Sequence, residues 1–107
     1  MTTDRMSKTA AIREARLRIN LFRMGRGWTV YMPYRWDEPR GPSTGGRETS
    51  WPQARAHHAY MVAWTALRLM GVSGEFADEE IGYAQWRGYT TIPAIVDYVL
   101  RAQSDDR

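Results

Sequence analysis

The chain has 107 residues, of which 43% are hydrophobic and 25% are charged, and its formal net charge is +3. This size and balance fit one folded domain and exclude a globally disordered chain. The absence of cysteine excludes disulfides, thiolate metal sites and cysteine nucleophiles. No apolar run approaches the ~20 residues that a membrane span requires, and residues 1–16 lack the apolar segment of a signal peptide. We therefore expect residues 1–107 to form a single domain of a cytoplasmic protein, with no membrane partner.

Charge is distributed unevenly along the chain. Residues 1–26 carry seven basic and two acidic side chains, whereas residues 75–107 carry three basic and seven acidic ones. This distribution is typical of a basic binding arm and an acidic tail, and equally of two ends that attract each other in the fold. Every basic residue except Lys8 is arginine, which suits phosphates and carboxylates, although codon bias in a GC-rich genome gives the same ratio. Residues 1–15 are expected to form a mobile basic arm or one short helix capped by Ser7.

The clearest local pattern lies in residues 16–35, where apolar and polar residues alternate. A period of two predicts half-buried strands, here at about 16–23 and 28–35. Gly25, followed by Arg26, suits the first central position of a type II′ hairpin turn. Folding the chain there pairs apolar residues on one face: Leu17 with Tyr34, Ile19 with Met32, and Leu21 with Val30. Because the turn and the hydrophobic pattern require the same register, we predict an antiparallel hairpin.

Residues 36–49 are predicted to form a flexible loop, which is long enough to indicate a mobile or functional segment. A short third strand near the end of this loop stays open. The spacing of Gly41 and Gly46 is that of a phosphate-binding P-loop, which requires Lys and then Ser or Thr after the second glycine. Here Arg47 and Glu48 follow, and the carboxylate would repel phosphate. A P-loop is therefore excluded.

The second half of the chain predicts three helices. The first, at about 51–70, begins after Ser50 with an S-x-x-Q capping box and ends before Gly71. Its apolar stripe consists of Ala56, Ala59, Tyr60, Ala63, Leu67 and Met70. Two further helices are predicted at about 77–87 and 92–103. Together these elements predict an α+β fold, in which a small antiparallel sheet is packed by a long central helix and two C-terminal helices.

No motif in the chain indicates a reaction centre. His57 and His58 are the only histidines, and neighbouring residues of a helix point about 100° apart, so the two do not bind one metal ion together. No serine lies in a G-x-S-x-G motif. The carboxylates of residues 78–80 favour the positive end of a helix dipole, which explains them without chemistry. We therefore expect a protein that is not an enzyme and that holds no metal and no cofactor.

The aromatic content points to protein binding. Five tryptophans and six tyrosines exceed what a core of this size needs, so some are expected at an interface. The central helix carries interface-type residues on the side away from its alanines. With the loop tryptophan, the candidate protein-binding residues are His57, Met61, Trp64, Arg68 and Trp36. The same helical spacing also fits a second buried face under the last two helices.

These features predict a small non-enzymatic protein that acts through contacts with another protein or protein complex. Its small size and composition add the hypothesis of an accessory or inhibitor protein of a bacterium, phage or mobile element. That group includes anti-CRISPR-type inhibitors of a host nuclease complex. A second copy of the chain stays open as a further partner.

The alternative is a protein that binds nucleic acid. In the predicted hairpin, basic and aromatic side chains alternate on the face away from the core. Together with the N-terminal arm, these would form a platform for a single strand. The candidate nucleic-acid-binding residues are Arg16, Arg18, Phe22, Tyr31 and Arg35. The salt dependence of binding distinguishes this alternative from protein binding, because neutralised phosphates release counterions.

Overall fold

A computed structural model describes residues 6–32 and 45–105 and confirms the α+β fold. Its elements, in chain order, are α1 (Lys8–Arg18), β1 (Asn20–Met24), β2 (Gly27–Tyr31), β3 (Gly45–Glu48), α2 (Trp51–Leu69), α3 (Gly74–Trp86) and α4 (Ile92–Asp105). The three strands form one antiparallel sheet in the order β1-β2-β3. The third strand, left open by the sequence, is therefore present. The rest of the predicted loop at 36–49 lies outside the described residues.

The predicted turn and register of the hairpin are confirmed. Leu21 pairs with Val30, and the ladder continues to Met24 opposite Gly27. Gly25 has a φ of 61°, whereas no described residue other than glycine has a positive φ. A single positive φ at the first central position is what a type II′ turn requires. The turn therefore sets the register from its own geometry.

The predicted start of the first strand is wrong. Residues 8–18 form α1, so Leu17 lies on a helix with 75% of its surface exposed, and its predicted partner Tyr34 lies outside the described residues. Ile19 ends the helix, and its predicted pair with Met32 is not part of the ladder between β1 and β2. The helix continues through this segment because its residues are good helix formers and because Glu14 and Arg18 form an i,i+4 ion pair of 2.9 Å. Of the two alternatives for residues 1–15, the described part is the short helix.

Local capping explains where the other helices begin and end. Ser7 and Ser50 cap α1 and α2 as predicted, each accepting a backbone N–H on its side-chain oxygen. Gly71 follows α2 with a φ of 91°, as expected of a C′ glycine. Helix α3 begins three residues before its predicted start because Ser73 caps it. Thr91 caps α4 through a bond of 3.3 Å from the backbone N–H of Ala94.

The core lies around α2, which packs against α1, the sheet, α3 and α4. Val30 and Met32 bury the inner face of the sheet against it. The predicted apolar stripe of α2 is only part of its buried surface, since residues 61–67 of the helix are buried on every side. Its buried residues are Ala54, Ala59, Met61, Val62, Ala63, Trp64, Thr65, Ala66 and Leu67. Ala56, predicted for the stripe, is exposed instead.

Candidate functional site

The predicted protein-binding face of α2 is not a surface. Met61 and Trp64 are fully buried. The indole Nε1 of Trp64 donates a hydrogen bond of 3.0 Å to the carbonyl of Gly74. Arg68 donates to the carbonyl of Val72 at 2.6 Å, and its guanidinium lies 6.0 Å from the centre of the Trp64 ring. The expected exposure of Met61 and Trp64 is therefore wrong, and the alternative of a second buried face is correct for these two residues, whereas Arg68 is half-buried.

Of the other two residues of that predicted set, only His57 lies within the part of the chain that the structure describes. His57 is half-buried, and its Nδ1 lies 3.1 Å from Oε2 of Glu48 at the end of β3. This distance allows an ion pair when the imidazole is protonated, but the orientation forms no hydrogen bond. Trp36 lies outside the described residues. His57 therefore lies where α2 meets the end of β3.

A different surface carries the exposed aromatic residues. Trp86 is 82% exposed and Tyr83 is 50% exposed, and both lie on the outward face of α3. On the same face lie the exposed residues Gly82, Glu79 and Glu75, following helical spacing. We call this set of five residues the α3 ridge. Sequence reasoning assigned Glu79, together with Asp78 and Glu80, to the positive end of a helix dipole and missed the ridge.

Helix α3 packs on the core through its buried residues and is also linked to α2 along the flank of the ridge. The hydroxyl of Tyr60 donates a hydrogen bond to Oδ1 of Asp78, and burial together with this carboxylate raises the pKa of Tyr60. The side chain of Gln85 donates to the carbonyl of Ala56 at 3.0 Å. With the bond from Trp64 to Gly74, these links hold both ends of the helix. A ridge on a helix held in this way is preorganised for binding, which reduces the entropy lost on association.

The outer face of the sheet is a second exposed surface. Phe22 and Tyr31 are each 40% exposed and Met24 is 52% exposed. The register places all three on the face opposite Val30. The aromatic half of the predicted nucleic-acid platform is therefore present.

The basic half of that platform is placed differently from the prediction. Arg16 and Arg18 lie on α1 and not on the sheet, and Arg18 is paired with Glu14. Arg35 lies outside the described residues. The predicted alternation of arginines and rings on one sheet face is therefore wrong for Arg16 and Arg18. The sequence pattern failed here because the helix continues to Arg18, two residues before β1 begins.

Comparison of the chain with protein-family models, curated proteins and solved structures finds no match. Within the described residues, no three His, Asp or Glu side chains come together as a potential metal site. None of the helices in residues 6–32 and 45–105 is long and apolar enough to cross a membrane. The exposed surfaces described above are therefore the features that bear on function.

Proposed function

We propose that this protein is a small, non-enzymatic binding protein that docks a basic segment of a partner protein on the α3 ridge. The observation that carries the proposal is the 82% exposure of Trp86 on a helix whose opposite face is fixed to the core. Covering an indole ring gains roughly 3 kcal/mol from apolar burial. Tryptophan and tyrosine are also among the residues most enriched in interface hot spots.

The remaining residues of the ridge define the chemistry of the partner. The carboxylate of Glu79 favours basic side chains, which also bind the faces of indole and phenol rings. Gly82 lies between the acidic and aromatic parts, and a Cβ at this position would meet nothing within 4 Å. A partner backbone therefore has room to approach the helix closely there. These features together favour an arginine- or lysine-bearing segment.

A protein of this kind acts by occupying a surface of its partner, which fits an accessory or inhibitor protein. Small size and composition extend the proposal to a bacterial, phage or mobile-element protein of the cytoplasm, with anti-CRISPR-type inhibition of a host nuclease complex as one form. The ridge and this wider role are separate parts of the proposal. The experiment below tests the ridge directly and identifies the partner.

The experiment is a pull-down from lysate of the source cells with the tagged full chain, followed by mass spectrometry. We expect at least one protein to be retained by the wild type and to be lost with Trp86→Ala or Glu79→Lys. Tyr31→Ala is the matched control, since it removes an exposed ring from a different surface, and it should retain the same protein. Nuclease treatment of the lysate should not release it.

The purified partner then provides a quantitative measurement. Trp86→Ala should weaken its binding by about 30-fold or more, which corresponds to a hot-spot loss of roughly 2 kcal/mol. The proposal is wrong if Trp86→Ala retains everything that the wild type retains, or if every retained protein is released by nuclease.

Nucleic-acid binding on the outer face of the sheet is a second candidate function. It is favoured by the exposed rings of Phe22 and Tyr31 on that face and by the exposed Arg26 in the turn at the end of the hairpin. Base stacking on such rings is tolerant of sequence. A single-stranded oligonucleotide should bind with a log–log salt slope of about −0.7 per phosphate contact. Phe22→Ala with Tyr31→Ala should abolish this binding, and unchanged affinity would exclude the sheet face.

A further inference from the structure

A cleft opens between α1, the first half of α2 and the connection from α3 to α4. It consists of two neighbouring cavities of about 340 and 310 Å³, both of which have Arg55 and Thr90 in their walls. The larger cavity is lined in addition by Arg16, His58, Thr91 and Trp51, and the smaller one by Tyr89. We call this feature the basic cleft. Each cavity falls within the usual size of small-molecule sites.

The cationic groups of the basic cleft are not neutralised by the described part of the chain. No acidic residue described in the structure lines either cavity. Among the ion pairs of residues 6–32 and 45–105, Lys8 pairs with Asp97 and Arg18 pairs with Glu14, but Arg16 and Arg55 pair with nothing. The two arginines come from different helices and line the same cavity. Two arginines without an acidic partner in one cavity attract an anionic ligand.

The positive charge of Arg16 also affects the pKa of His58, which lines the same cavity. Burial lowers the pKa of His58, and the charges of Arg16 and His57 lower it further. A carboxylate in the cleft would act in the opposite direction. The imidazole is therefore placed so that a bound anion would raise its pKa.

The walls of the cleft also offer hydroxyl donors and aromatic rings. Thr91 accepts the N–H of Ala94 on its oxygen, so its hydroxyl hydrogen is available to an oxyanion. Trp51 is 45% exposed in the larger cavity and packs against Trp28, with ring centres 4.5 Å apart. Tyr89 is 37% exposed in the smaller one. Cations and hydroxyls thus lie next to ring surfaces on which a planar group can stack.

We propose that the basic cleft binds a nucleotide, with its phosphate held by Arg16 and Arg55 and its base against the ring of Trp51. A bidentate guanidinium matches two phosphate oxygens, and each of the nucleobases has a flat face that can stack on an indole ring. The same chemistry is offered by a free mononucleotide and by a nucleotide within a single strand. This site is separate from the α3 ridge and does not depend on the proposed docking there.

The test titrates the full chain with adenosine 5′-monophosphate and follows both histidines by NMR. Bound phosphate should raise the pKa of His58, because the dianion stabilises the imidazolium. Adenosine without phosphate should not raise it. Inorganic phosphate should bind more weakly than the nucleotide, since it has no ring to stack. A pKa of His58 that the nucleotide leaves unchanged would overturn the proposal, as would equal affinity for inorganic phosphate.

Variants locate the binding in the cleft. Arg55→Gln and Arg16→Gln should each weaken nucleotide binding by about tenfold, the loss expected for one charge-assisted hydrogen bond. Because the two residues lie on different helices, misfolding of one variant leaves the other as a test. Arg101→Gln is the matched control, an exposed arginine on α4 that lines neither cavity. Wild-type affinity in both cleft variants would contradict the proposal.

A short single-stranded oligodeoxyadenylate distinguishes the two sources of nucleotide. Tighter binding than the mononucleotide, with a salt slope of about −0.7 per phosphate, identifies a strand as the ligand. Equal affinity identifies the free nucleotide, and both results support the cleft. Trp86→Ala should bind nucleotide as the wild type does, so failure of the α3 ridge and failure of the cleft are separate results.

Discussion

The middle of α2 and the C-terminal end of α3 each carry a tryptophan on a helix, yet the two side chains have opposite environments. Trp64 is completely buried, and its indole N–H is satisfied by the carbonyl of Gly74. Trp86 is 82% exposed. The first ring forms part of the packing between α2 and α3, whereas the second lies on the far side of the same α3. Some of the many aromatic residues are therefore structural, as Trp64 is, and others lie on the surface, as Trp86 does.

The difference shows that residue type alone does not locate an interface. Trp64, Met61 and Arg68 have the composition of a hot spot, but Met61 and Trp64 are fully buried and Arg68 bonds to the carbonyl of Val72 before α3. Trp86 has the same side chain as Trp64, but the described residues leave most of it exposed. Variants of Trp64 and Trp86 therefore test which surface of the fold is exposed to a partner.

The largest effect is expected from truncating the buried ring. Trp64→Ala should lower the free energy of unfolding by about 3–5 kcal/mol, because it leaves a cavity and an unpaired carbonyl at Gly74. Urea denaturation monitored by circular dichroism measures this loss. Trp86→Ala is the matched control with the same change of side chain. A loss below about 1 kcal/mol for Trp64→Ala would show that the ring is not part of the core.

A smaller effect is expected from loosening the attachment of α3. Tyr60→Phe removes the hydrogen bond from the hydroxyl to Asp78 and should cost about 1 kcal/mol or less, since the pair is partly exposed to solvent. A double-mutant cycle with Asp78→Ala isolates the pair from the other contacts of each residue. Additive losses in the cycle would mean that this bond does not hold α3 to α2.

The centre of the α3 ridge offers a change in the opposite direction. Gly82→Ala should raise the free energy of unfolding by about 0.5–1 kcal/mol, because alanine is the better helix former and its methyl group meets nothing within 4 Å. The same methyl group should weaken binding of the partner by keeping its backbone away. Denaturation and a partner titration measure the two effects separately. Tighter or unchanged binding would remove Gly82 from the interface.

The parts of the fold that depend on neighbouring residues were predictable. Ser7 and Ser50 cap their helices and Gly25 forms the turn, each through bonds or dihedral angles within a few residues. The start of β1 was not, because Leu17 and Ile19 alternate with Arg16 and Arg18 over only four positions. Such a short alternation also fits the last turn of a helix. Packing of Ala11, Ile12 and Ala15 against the core decides for the helix.

The candidate site was less predictable for the same reason. The spacing of Met61 and Trp64 fits an exposed face and a buried one equally well, and only the position of α3 decides between them. The sequence did contain a signal for Trp86. The buried residue Ile81 marks the inner side of α3, and Trp86 lies about 140° around the helix from it at 100° per residue. That angle places the ring on the outside once the helix is assigned correctly.

The smallest effect on stability is expected at Trp86 itself. This variant tests the difference between the exposed Trp86 and the buried Trp64 most directly. Trp86→Ala should change the free energy of unfolding by no more than about 0.5 kcal/mol, because an exposed ring loses little packing when it is removed. The same change should abolish retention of the partner protein, since the ring supplies most of the apolar area of the α3 ridge. Denaturation and pull-down on one preparation measure both effects. A variant that lost stability and binding together would place Trp86 in the folded core of the chain, and a variant that lost neither would leave the ridge without a function.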